Sequence, residues 1–234
     1  MCFENEWVLV TGASKGLGKE LAFAFAGAGA NLILVARSGD LLGGIAESIA
    51  KTHGVQCDVI AGDICSAEVL DEVCKAAIAR DIDVLVNNAG VVSIDVLEDV
   101  SVERIELMVE LNLVVPIKLT RAVIPMFKKR RGGTIVNVNS LAGRKAVSEH
   151  AVYCATKHGM MGFSETLKLE VNGMGIRVFN VSPGKMATEL FAADGKDWDT
   201  SAFIPPKEVA ETTVRILQMS DKCGPTEFAI DRMG

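Results

Sequence analysis

The chain has 234 residues, of which 49% are hydrophobic and 23% charged, and it carries a formal net charge of −6. This length and composition suit one α/β domain, or two small ones, whose core needs no support from disulfides or metals. The acidic balance disfavours a general nucleic-acid-binding protein, and no apolar run reaches the ~18 residues that a membrane-spanning helix needs.

The first residues and the cysteines favour a cytoplasmic protein. The N-terminus lacks the basic start, apolar run and small-residue cleavage site of a secretory signal. The cysteines form no CxxC pair and lie in apolar or helical segments. They are Cys2, Cys57, Cys65, Cys74, Cys154 and Cys223. We therefore expect reduced thiols that mostly pack against apolar neighbours.

Short β-branched runs alternate with longer helical stretches along the chain. The predicted strands span residues 7–10, 31–36, 55–61, 83–86, 134–139, 176–181 and 227–230. The predicted helices span residues 17–28, 40–52, 66–79, 101–129, 151–172 and 206–219. Ser66 and Ser101 are predicted helix caps, each with a glutamate in the following turn. The pattern predicts one α/β domain over residues 1–234, a Rossmann-type doubly wound parallel sheet of about seven strands with helices on both faces.

The first predicted strand leads into a glycine-rich turn that opens the first helix. Its sequence, at residues 11–18, is Thr-Gly-Ala-Ser-Lys-Gly-Leu-Gly. Glycines here allow a tight turn and the close approach of a pyrophosphate, which the first N–H groups of the helix would face. A plain glycine-rich turn is the alternative, but the position after the first of several strands favours a dinucleotide site. The predicted contacts are Gly12, Ser14, Lys15, Gly16, Leu17 and Gly18.

The glycines follow the spacing GxxxGxG and not the common dinucleotide fingerprint GxGxxG. Together with Asn-Asn-Ala-Gly at residues 87–90, this spacing resembles the short-chain dehydrogenase/reductase superfamily, in the branch with subunits of about this length. The resemblance covers nearly the whole chain and implies contacts to the adenosine half of the cofactor. These are Asp63, Ile64, Asn88, Ala89 and Gly90.

The end of the second predicted strand decides between the two nicotinamide dinucleotides. A carboxylate there would bind the ribose hydroxyls of NAD and repel the 2′-phosphate of NADP. By the resemblance, that position falls on the uncharged Ala36, and Arg37 and Ser38 follow it. Lys15 supplies a second positive charge from the glycine loop. Each cation alone could be a solvated loop residue, but an Arg and a Lys that converge on one phosphate predict NADP(H) as the cofactor.

The only tyrosine of the chain, Tyr153, stands four residues before Lys157. On a helix, residues four apart share a face, so the phenol and the ammonium would point into one cleft. A nearby cation stabilises a phenolate, so we expect a lowered Tyr153 pKa and a general acid/base that is usable near neutral pH. Ser140 ends the fifth predicted strand, at the edge where parallel sheets place reacting groups. Each residue alone has a structural explanation, but their joint occurrence predicts a catalytic site.

The resemblance also assigns roles to four residues. It implies that Ser140 donates a hydrogen bond to the substrate oxygen, that Tyr153 gives this oxygen a proton, and that Lys157 holds the ribose and biases Tyr153. Asn112, within the predicted helix 101–129, would fix a water through which the proton is replaced. Besides Tyr153 and Lys157, the implied contacts on the nicotinamide side are Pro183, Gly184, Met186 and Thr188.

Other polar residues near these motifs receive no catalytic role. His150, His158 and Cys154 lack partners at convincing ligand spacing, so we interpret them as helix-surface or packing residues and predict no metal site. Lys185 stands where the family more often has an apolar residue, and we expect it to point to solvent. The basic run at residues 128–131 complements a helix dipole as a solvated turn, or forms a docking patch for an acidic partner such as an acyl carrier protein.

The sequence therefore predicts an NADPH-dependent oxidoreductase that moves a hydride between nicotinamide and a carbonyl or secondary alcohol. The substrate is open among small ketones, keto or hydroxy acids and 3-oxoacyl thioesters, because the chain resembles both 3-oxoacyl-carrier-protein reductases and broad-range reductases of small substrates. The segments expected to select it are 93–100, 141–149 and 186–205, the last a short lid. An NADP(H)-binding regulatory protein without significant turnover is the alternative. We expect a homodimer or homotetramer, with neither a nucleic acid nor a membrane as partner.

Overall fold

The computed structural model describes residues 3–188, 201–219 and 225–232. Within them, parallel strands form one sheet in the order β3-β2-β1-β4-β5-β6-β7. The strands are β1 Trp7–Thr11, β2 Asn31–Ala36, β3 Cys57–Ala61, β4 Val84–Asn87, β5 Gly133–Val138, β6 Ile176–Pro183 and β7 Glu227–Ile230. The strand order reverses between β1 and β4, and open α/β sheets bind ligands outside the carboxyl ends of strands at such a reversal. The predicted fold class is confirmed.

Helices cover both faces of the sheet. They are α1 Gly16–Gly27, α2 Gly39–His53, α3 Ala67–Ala79, α4 Val102–Val109, α5 Val115–Arg130, α6 Ala151–Glu170 and α7 Pro206–Leu217. One core layer joins the sheet to α1, α2 and α7, and the other joins it to α3, α5 and α6. Alternate residues of β1 serve the two layers, Val8 and Val10 in the first and Leu9 in the second. No helix of the described residues is both long enough and apolar enough to cross a membrane.

The predicted helix 101–129 is wrong as a continuous α-helix. The structure divides it into α4 and α5, with the π-helical turn Glu110–Val114 between them. In this turn the N–H of Val115 donates to the carbonyl of Glu110, five residues back instead of four. The apolar pattern continues through the turn, so the change of helix type is not visible in the residue pattern. Asn112 lies inside it, and π turns within α-helices are frequent at functional sites.

The ends of the other elements agree with simple capping chemistry. Ser66 Oγ accepts a hydrogen bond from the N–H of Val69 at 3.3 Å, and Ser101 Oγ accepts one from the N–H of Arg104 at 3.2 Å. Both predicted caps are confirmed. The third strand begins at Cys57, two residues after the predicted start.

Part of the basic run at residues 128–131 has a structural role. Arg130 Nη1 lies 3.3 Å from Asp81 Oδ1 and 3.2 Å from Asp83 Oδ1, and its guanidinium also donates to the carbonyl of Ile82. Arg131 Nη2 donates to the carbonyl of Gly173 at 3.2 Å. These two arginines therefore fix the C-terminal end of α5 to loops at the amino edge of the sheet, the edge opposite the glycine loop.

Candidate active site

The glycine loop turns sharply between β1 and α1. Gly12 and Gly16 have φ angles of +67° and +53°, in the left-handed region that glycine adopts without a steric penalty. The N–H of Ala13 donates to the carbonyl of Val35 at 3.2 Å, which holds the loop against β2. Because α1 begins at Gly16, its first N–H groups have no helical partners, and a terminus of this kind favours a bound anion.

Asn88 and Thr11 attach this loop to the end of β4. Asn88 Nδ2 donates to the carbonyls of Thr11 at 2.8 Å and Gly12 at 3.3 Å. In return, Thr11 Oγ1 accepts from the N–H groups of Asn88 and Ala89, both at 3.0 Å. A Cβ atom at Gly18 would lie 2.2 Å from the carbonyl oxygen of Gly12, so only glycine lets α1 approach the loop this closely. Asn88 thus shapes the loop as well as lining the site.

A cleft of about 360 Å³ lies along the carboxyl ends of the strands. It brings together all of the predicted cofactor contacts except two. Those that line it are Gly12, Ser14, Lys15, Gly16, Leu17, Gly18, Arg37, Ser38, Asp63, Ile64, Asn88, Ala89, Gly90, Tyr153, Lys157, Met186 and Thr188. Pro183 and Gly184 are not part of this wall. Pro183 ends β6 and Gly184 follows it, and the N–H of Gly184 donates to the carbonyl of Ile230 at 2.8 Å.

Sequence reasoning missed one wall of this cleft. Arg104, Leu107 and Leu111 line it from α4 and the π turn, and Val91 and Val92 line it from the loop after β4. The signal was present, because residues 104, 107 and 111 repeat at the three- and four-residue spacing of one helix face.

One end of the cleft is cationic. Lys15 and Arg37 both line it. The last residue of β2, directly before Arg37, is the uncharged Ala36 and not an acid. Neither cation has an ion-pair partner among the residues that the structure describes. The hydroxyl of Ser38 makes no capping hydrogen bond to α2. These three side chains form a binding set that suits a phosphate monoester.

Tyr153 lines the cleft from the first turn of α6, with Ser140 near enough to influence its pKa. Ser140 Oγ accepts a hydrogen bond from the N–H of Ala142 at 3.1 Å. Burial raises the pKa of Tyr153 to about 12, although the Ser140 side chain acts in the opposite direction. The expected lowering of this pKa is therefore wrong for the ligand-free protein, because desolvation of the phenolate outweighs the stabilising contacts.

Lys157 lies beneath Tyr153 on the same face of α6. Its side chain is buried, its Nζ donates to the carbonyl of Val138 at 2.9 Å, and this Nζ lies 5.6 Å from the centroid of the Tyr153 ring. Burial lowers the pKa of Lys157 to about 8. The ammonium is thus held by the end of β5, close to the tyrosine ring, in a position where a small change in environment alters its charge.

Asn112 is tied to both sides of the site through its side chain. Its Oδ1 accepts from the N–H of Val91 at 2.9 Å, and its Nδ2 donates to the Val91 carbonyl at 2.8 Å and to Thr156 Oγ1 at 3.3 Å. Thr156 Oγ1 in turn donates to the carbonyl of Tyr153 at 2.8 Å. The buried Thr156, which sequence reasoning missed, therefore connects Asn112 to the helix turn that carries the tyrosine.

A second network beneath α6 was also not predicted. Asn87, Asn137 and Asn180 stand in matching register on β4, β5 and β6. Asn87 Nδ2 donates to Asn137 Oδ1 at 2.8 Å, and Asn137 Nδ2 donates to Ser164 Oγ on α6 at 2.8 Å. A buried hydrogen-bonded network specifies how two elements pack. It therefore holds α6, with its tyrosine and lysine, in register with the sheet.

Of the predicted lid, residues 186–188 and 201–205 belong to the described part of the chain, and residues 189–200 lie outside it. Met186 forms a bridge with Ile204, and the buried hydroxyl of Thr188 has no hydrogen-bond partner within the described part of the chain. Met186 and Thr188 both line the cleft, so this end offers an apolar surface beside an unused polar group. Lys185 is exposed, and its Nζ lies 5.8 Å from the centroid of the Phe203 ring.

Comparison with known proteins gives the family. The sequence profile described as short chain dehydrogenase matches residues 6–198. The chain belongs to the short-chain dehydrogenase/reductase superfamily. It is 32% identical over 226 residues to the NADP-dependent 3-hydroxy acid dehydrogenase of Schizosaccharomyces pombe, covering 92% of this chain and 87% of the relative. It is 33% identical over 224 residues to the D-threitol dehydrogenase of Mycolicibacterium smegmatis, covering 90% and 85%.

A solved short-chain dehydrogenase superposes on nearly the whole chain. It is the L-sorbose reductase of Gluconobacter frateurii in complex with NADPH and L-sorbose, with a TM-score of 0.89, 28% sequence identity and coverage of 99% and 97%. The predicted family is confirmed. The narrower resemblance to 3-oxoacyl-carrier-protein reductases is not confirmed, because relatives of similar identity carry names as different as 3-hydroxy acid dehydrogenase, ketoacyl reductase and D-threitol dehydrogenase.

Proposed function

We propose that this chain is an NADPH-dependent oxidoreductase that interconverts a carbonyl group and a secondary alcohol through Ser140, Tyr153, Lys157 and Asn112. The observation that supports it most is one cleft that is lined by Tyr153 and Lys157 and also by Lys15 and Arg37, with no carboxylate at position 36. Relatives named for NADP or solved with NADPH support the same cofactor.

The residues of the cleft fit the cofactor. The first N–H groups of α1 suit the pyrophosphate, and Lys15 and Arg37 suit the 2′-phosphate. The Thr188 hydroxyl, which has no hydrogen-bond partner among the described residues, suits a polar group at the nicotinamide end. When bound, NADPH supplies the hydride, so the chain itself needs no redox group. By the family resemblance, Asp63 and Ile64 would contact the adenine. Asn88, Ala89 and Gly90 would contact the rest of the adenosine half, and Pro183 and Gly184 the nicotinamide side.

This proposal assigns a role to each of the four catalytic residues. Tyr153 holds the proton that the substrate oxygen takes up as negative charge develops on it, and Ser140 donates a hydrogen bond to the same oxygen. Lys157 binds the ribose and stabilises the tyrosine after it has lost its proton. Asn112 fixes a water for proton replacement. Its side chain is already bonded to Val91 and Thr156, which keeps the π turn in place beside α6.

The shifted pKa values predict a pH dependence that differs between the two directions. With a Tyr153 pKa of about 12, the phenol is protonated at neutral pH and is ready to donate in reduction. Oxidation needs the phenolate, so kcat/KM for an alcohol is expected to rise about tenfold per pH unit up to about pH 8, where Lys157 begins to lose the charge that stabilises the phenolate. Lys157, with a pKa of about 8, loses its charge above that pH, so NADPH affinity is expected to fall there. Initial rates in both directions, with NADPH titrations at each pH, check this, and an oxidation rate that is flat with pH would contradict it.

The proposed substrate is a small ketone, a keto or hydroxy acid, or a 3-oxoacyl thioester. Relatives named for a 3-hydroxy acid, D-threitol and L-sorbose support a small oxygenated molecule. Arg130 and Arg131 are engaged within the fold, so a docking patch for an acyl carrier protein would have to depend on Lys128 and Lys129. We place the selecting residues in segments 93–100, 141–149 and the lid 186–205 of a single domain.

An NADPH-oxidation screen over ketoacids, acetoacetyl thioesters, diketones and aldehydes tests the proposed activity. Oxidation that depends on one of these substrates is the expected result. NADPH binding without turnover of any of them would favour the second candidate, an NADP(H)-dependent regulatory protein, which the same cationic cleft would also serve.

We also propose a cytoplasmic homodimer or homotetramer built on α4–α5 and α6. Exposed apolar side chains on these helices support the proposal, including Val102, Val109 and Leu169, the last 79% exposed. Light scattering at micromolar concentration is expected to give at least twice the chain mass of 24.9 kDa. A monomer mass would refute the assembly.

A further inference from the structure

Arg104 is a cation of the cleft to which the proposed mechanism gives no task. It lies in the first turn of α4, is partly buried and lines the cleft together with Leu107 and Leu111. Its Nη2 donates to the carbonyl of Val92. Among the described residues it forms no ion pair with any carboxylate. A guanidinium has five N–H donors, so most of its hydrogen-bonding capacity remains for a ligand.

The charged lining of the cleft is strongly unbalanced. Its cations are Lys15, Arg37, Arg104 and Lys157, and its only acid among the described residues is Asp63. In the proposed function Lys15 and Arg37 bind the 2′-phosphate, while Lys157 serves the ribose and Tyr153. Neither an acid of the described residues nor the assigned cofactor groups neutralise this partly buried arginine, so its guanidinium is available to pair with another anion in the cleft.

The hydrogen bond to the Val92 carbonyl connects Arg104 to a loop that is expected to contact the substrate. Val92 follows Val91, which Asn112 holds through both its N–H and its carbonyl. Three residues beyond Val92, the N–H of Asp95 donates to the carbonyl of Glu149 at 3.0 Å. Arg104 is thereby joined to the place where segment 93–100 meets the loop that follows Ser140, and these are two of the segments expected to select the substrate.

We infer that Arg104 binds a carboxylate of the substrate, so that the enzyme acts on short oxo or hydroxy acids in preference to neutral ketones. This inference rests on the proposed function and names its substrate class. The planar guanidinium matches a carboxylate in a bidentate pair, which also fixes the direction in which the reacting carbon enters the cleft.

The test compares short 2-oxo and 3-oxo acids with their methyl esters in wild type, Arg104→Gln and Arg104→Lys. Glutamine can still donate to the Val92 carbonyl but carries no charge. We expect Arg104→Gln to lower kcat/KM for the acid about 10- to 100-fold, mainly through KM, and for the ester less than about threefold. Arg104→Lys keeps a charge and is expected to lie between. Arg215→Gln, on the exposed side of α7 and outside the helices proposed for the subunit interface, is the matched control and is expected to change neither rate.

Three results would overturn the inference and leave the proposed function in place. Equal losses for acid and ester in Arg104→Gln would make Arg104 a residue that only orders the Val92 loop. A loss of NADPH affinity in that variant would assign Arg104 to a cofactor phosphate. A wild type that reduces esters and neutral ketones in preference to the acids would exclude the substrate class and leave the proposed function standing. Failure of the wild type to reduce any carbonyl, with NADPH bound, would instead remove the proposed function and this inference together.

Discussion

In the Tyr153→Phe variant, turnover of a carbonyl substrate is expected to fall by about 10²- to 10⁴-fold while NADPH affinity stays close to that of the wild type. The phenol proton is needed only as charge develops on the substrate oxygen, whereas the cofactor is held by the glycine loop, Arg37 and Lys157. Phenylalanine keeps the ring that packs over Lys157, so the change removes the hydroxyl with little disturbance. Steady-state kinetics and calorimetric titration with NADPH measure the two quantities separately.

Two further variants make this result specific. Cys154→Ala changes the adjacent, partly buried residue and is expected to retain turnover. Lys157→Ala is expected to weaken NADPH binding as well as the rate, because one ammonium serves both the ribose and the phenolate. If Tyr153→Phe retained more than about a tenth of wild-type turnover, Tyr153 would not be the proton donor.

In the Arg37→Asp variant, the preference for NADPH over NADH is expected to be lost or reversed. The change removes a charge-assisted pair with the 2′-phosphate and adds a repelling carboxylate beside it, at a cost of about 2–4 kcal/mol, or roughly 30- to 1000-fold in Kd. The new carboxylate can accept hydrogen bonds from the ribose hydroxyls of NADH, so NADH affinity is expected to hold or improve. Titration of wild type and variant with both cofactors gives four Kd values.

The control for Arg37 is Arg215→Asp, which makes the same charge change on the exposed side of α7, outside the helices proposed for the subunit interface. It separates the effect of the local phosphate contact from that of net charge, and it is expected to leave both affinities near wild type. Equal affinity of the wild-type protein for NADPH and NADH would contradict the assignment of Lys15 and Arg37 to the 2′-phosphate.

The sequence predicts the parts of this molecule that depend on local pattern. Alternation of buried strands with amphipathic helices predicts the sheet, because strands covered on both faces must be apolar throughout. The caps at Ser66 and Ser101 and the turn at Gly12 are predicted for the same reason, since each depends on a few neighbouring residues. The predicted cofactor contacts other than Pro183 and Gly184 are also brought into one cleft, because the strand order reverses between β1 and β4.

The features that were missed depend on packing between distant segments. The π turn at Asn112 breaks no apolar period, and it is accompanied by hydrogen bonds to Val91 and Thr156, which no local pattern reveals. The Tyr153 pKa was misjudged because the spacing to Lys157 is visible in the sequence, whereas the burial that dominates the shift is a property of the folded cleft. Arg104 was missed because its place in the wall is set by the approach of α4 to the loop after β4.

The most direct test of hydride transfer uses NADPH that carries deuterium at both C4 positions of the dihydronicotinamide, so that either face transfers a label. Reduction of an accepted oxo acid or ketone in ordinary water is expected to place that deuterium on the carbinol carbon of the product, while the hydroxyl proton comes from Tyr153 and exchanges with solvent. Mass spectrometry of the product distinguishes the two origins. One deuterium on carbon in each product molecule is the predicted result. A product without deuterium, or NADPH that binds and is never consumed, would contradict the function proposed for this chain.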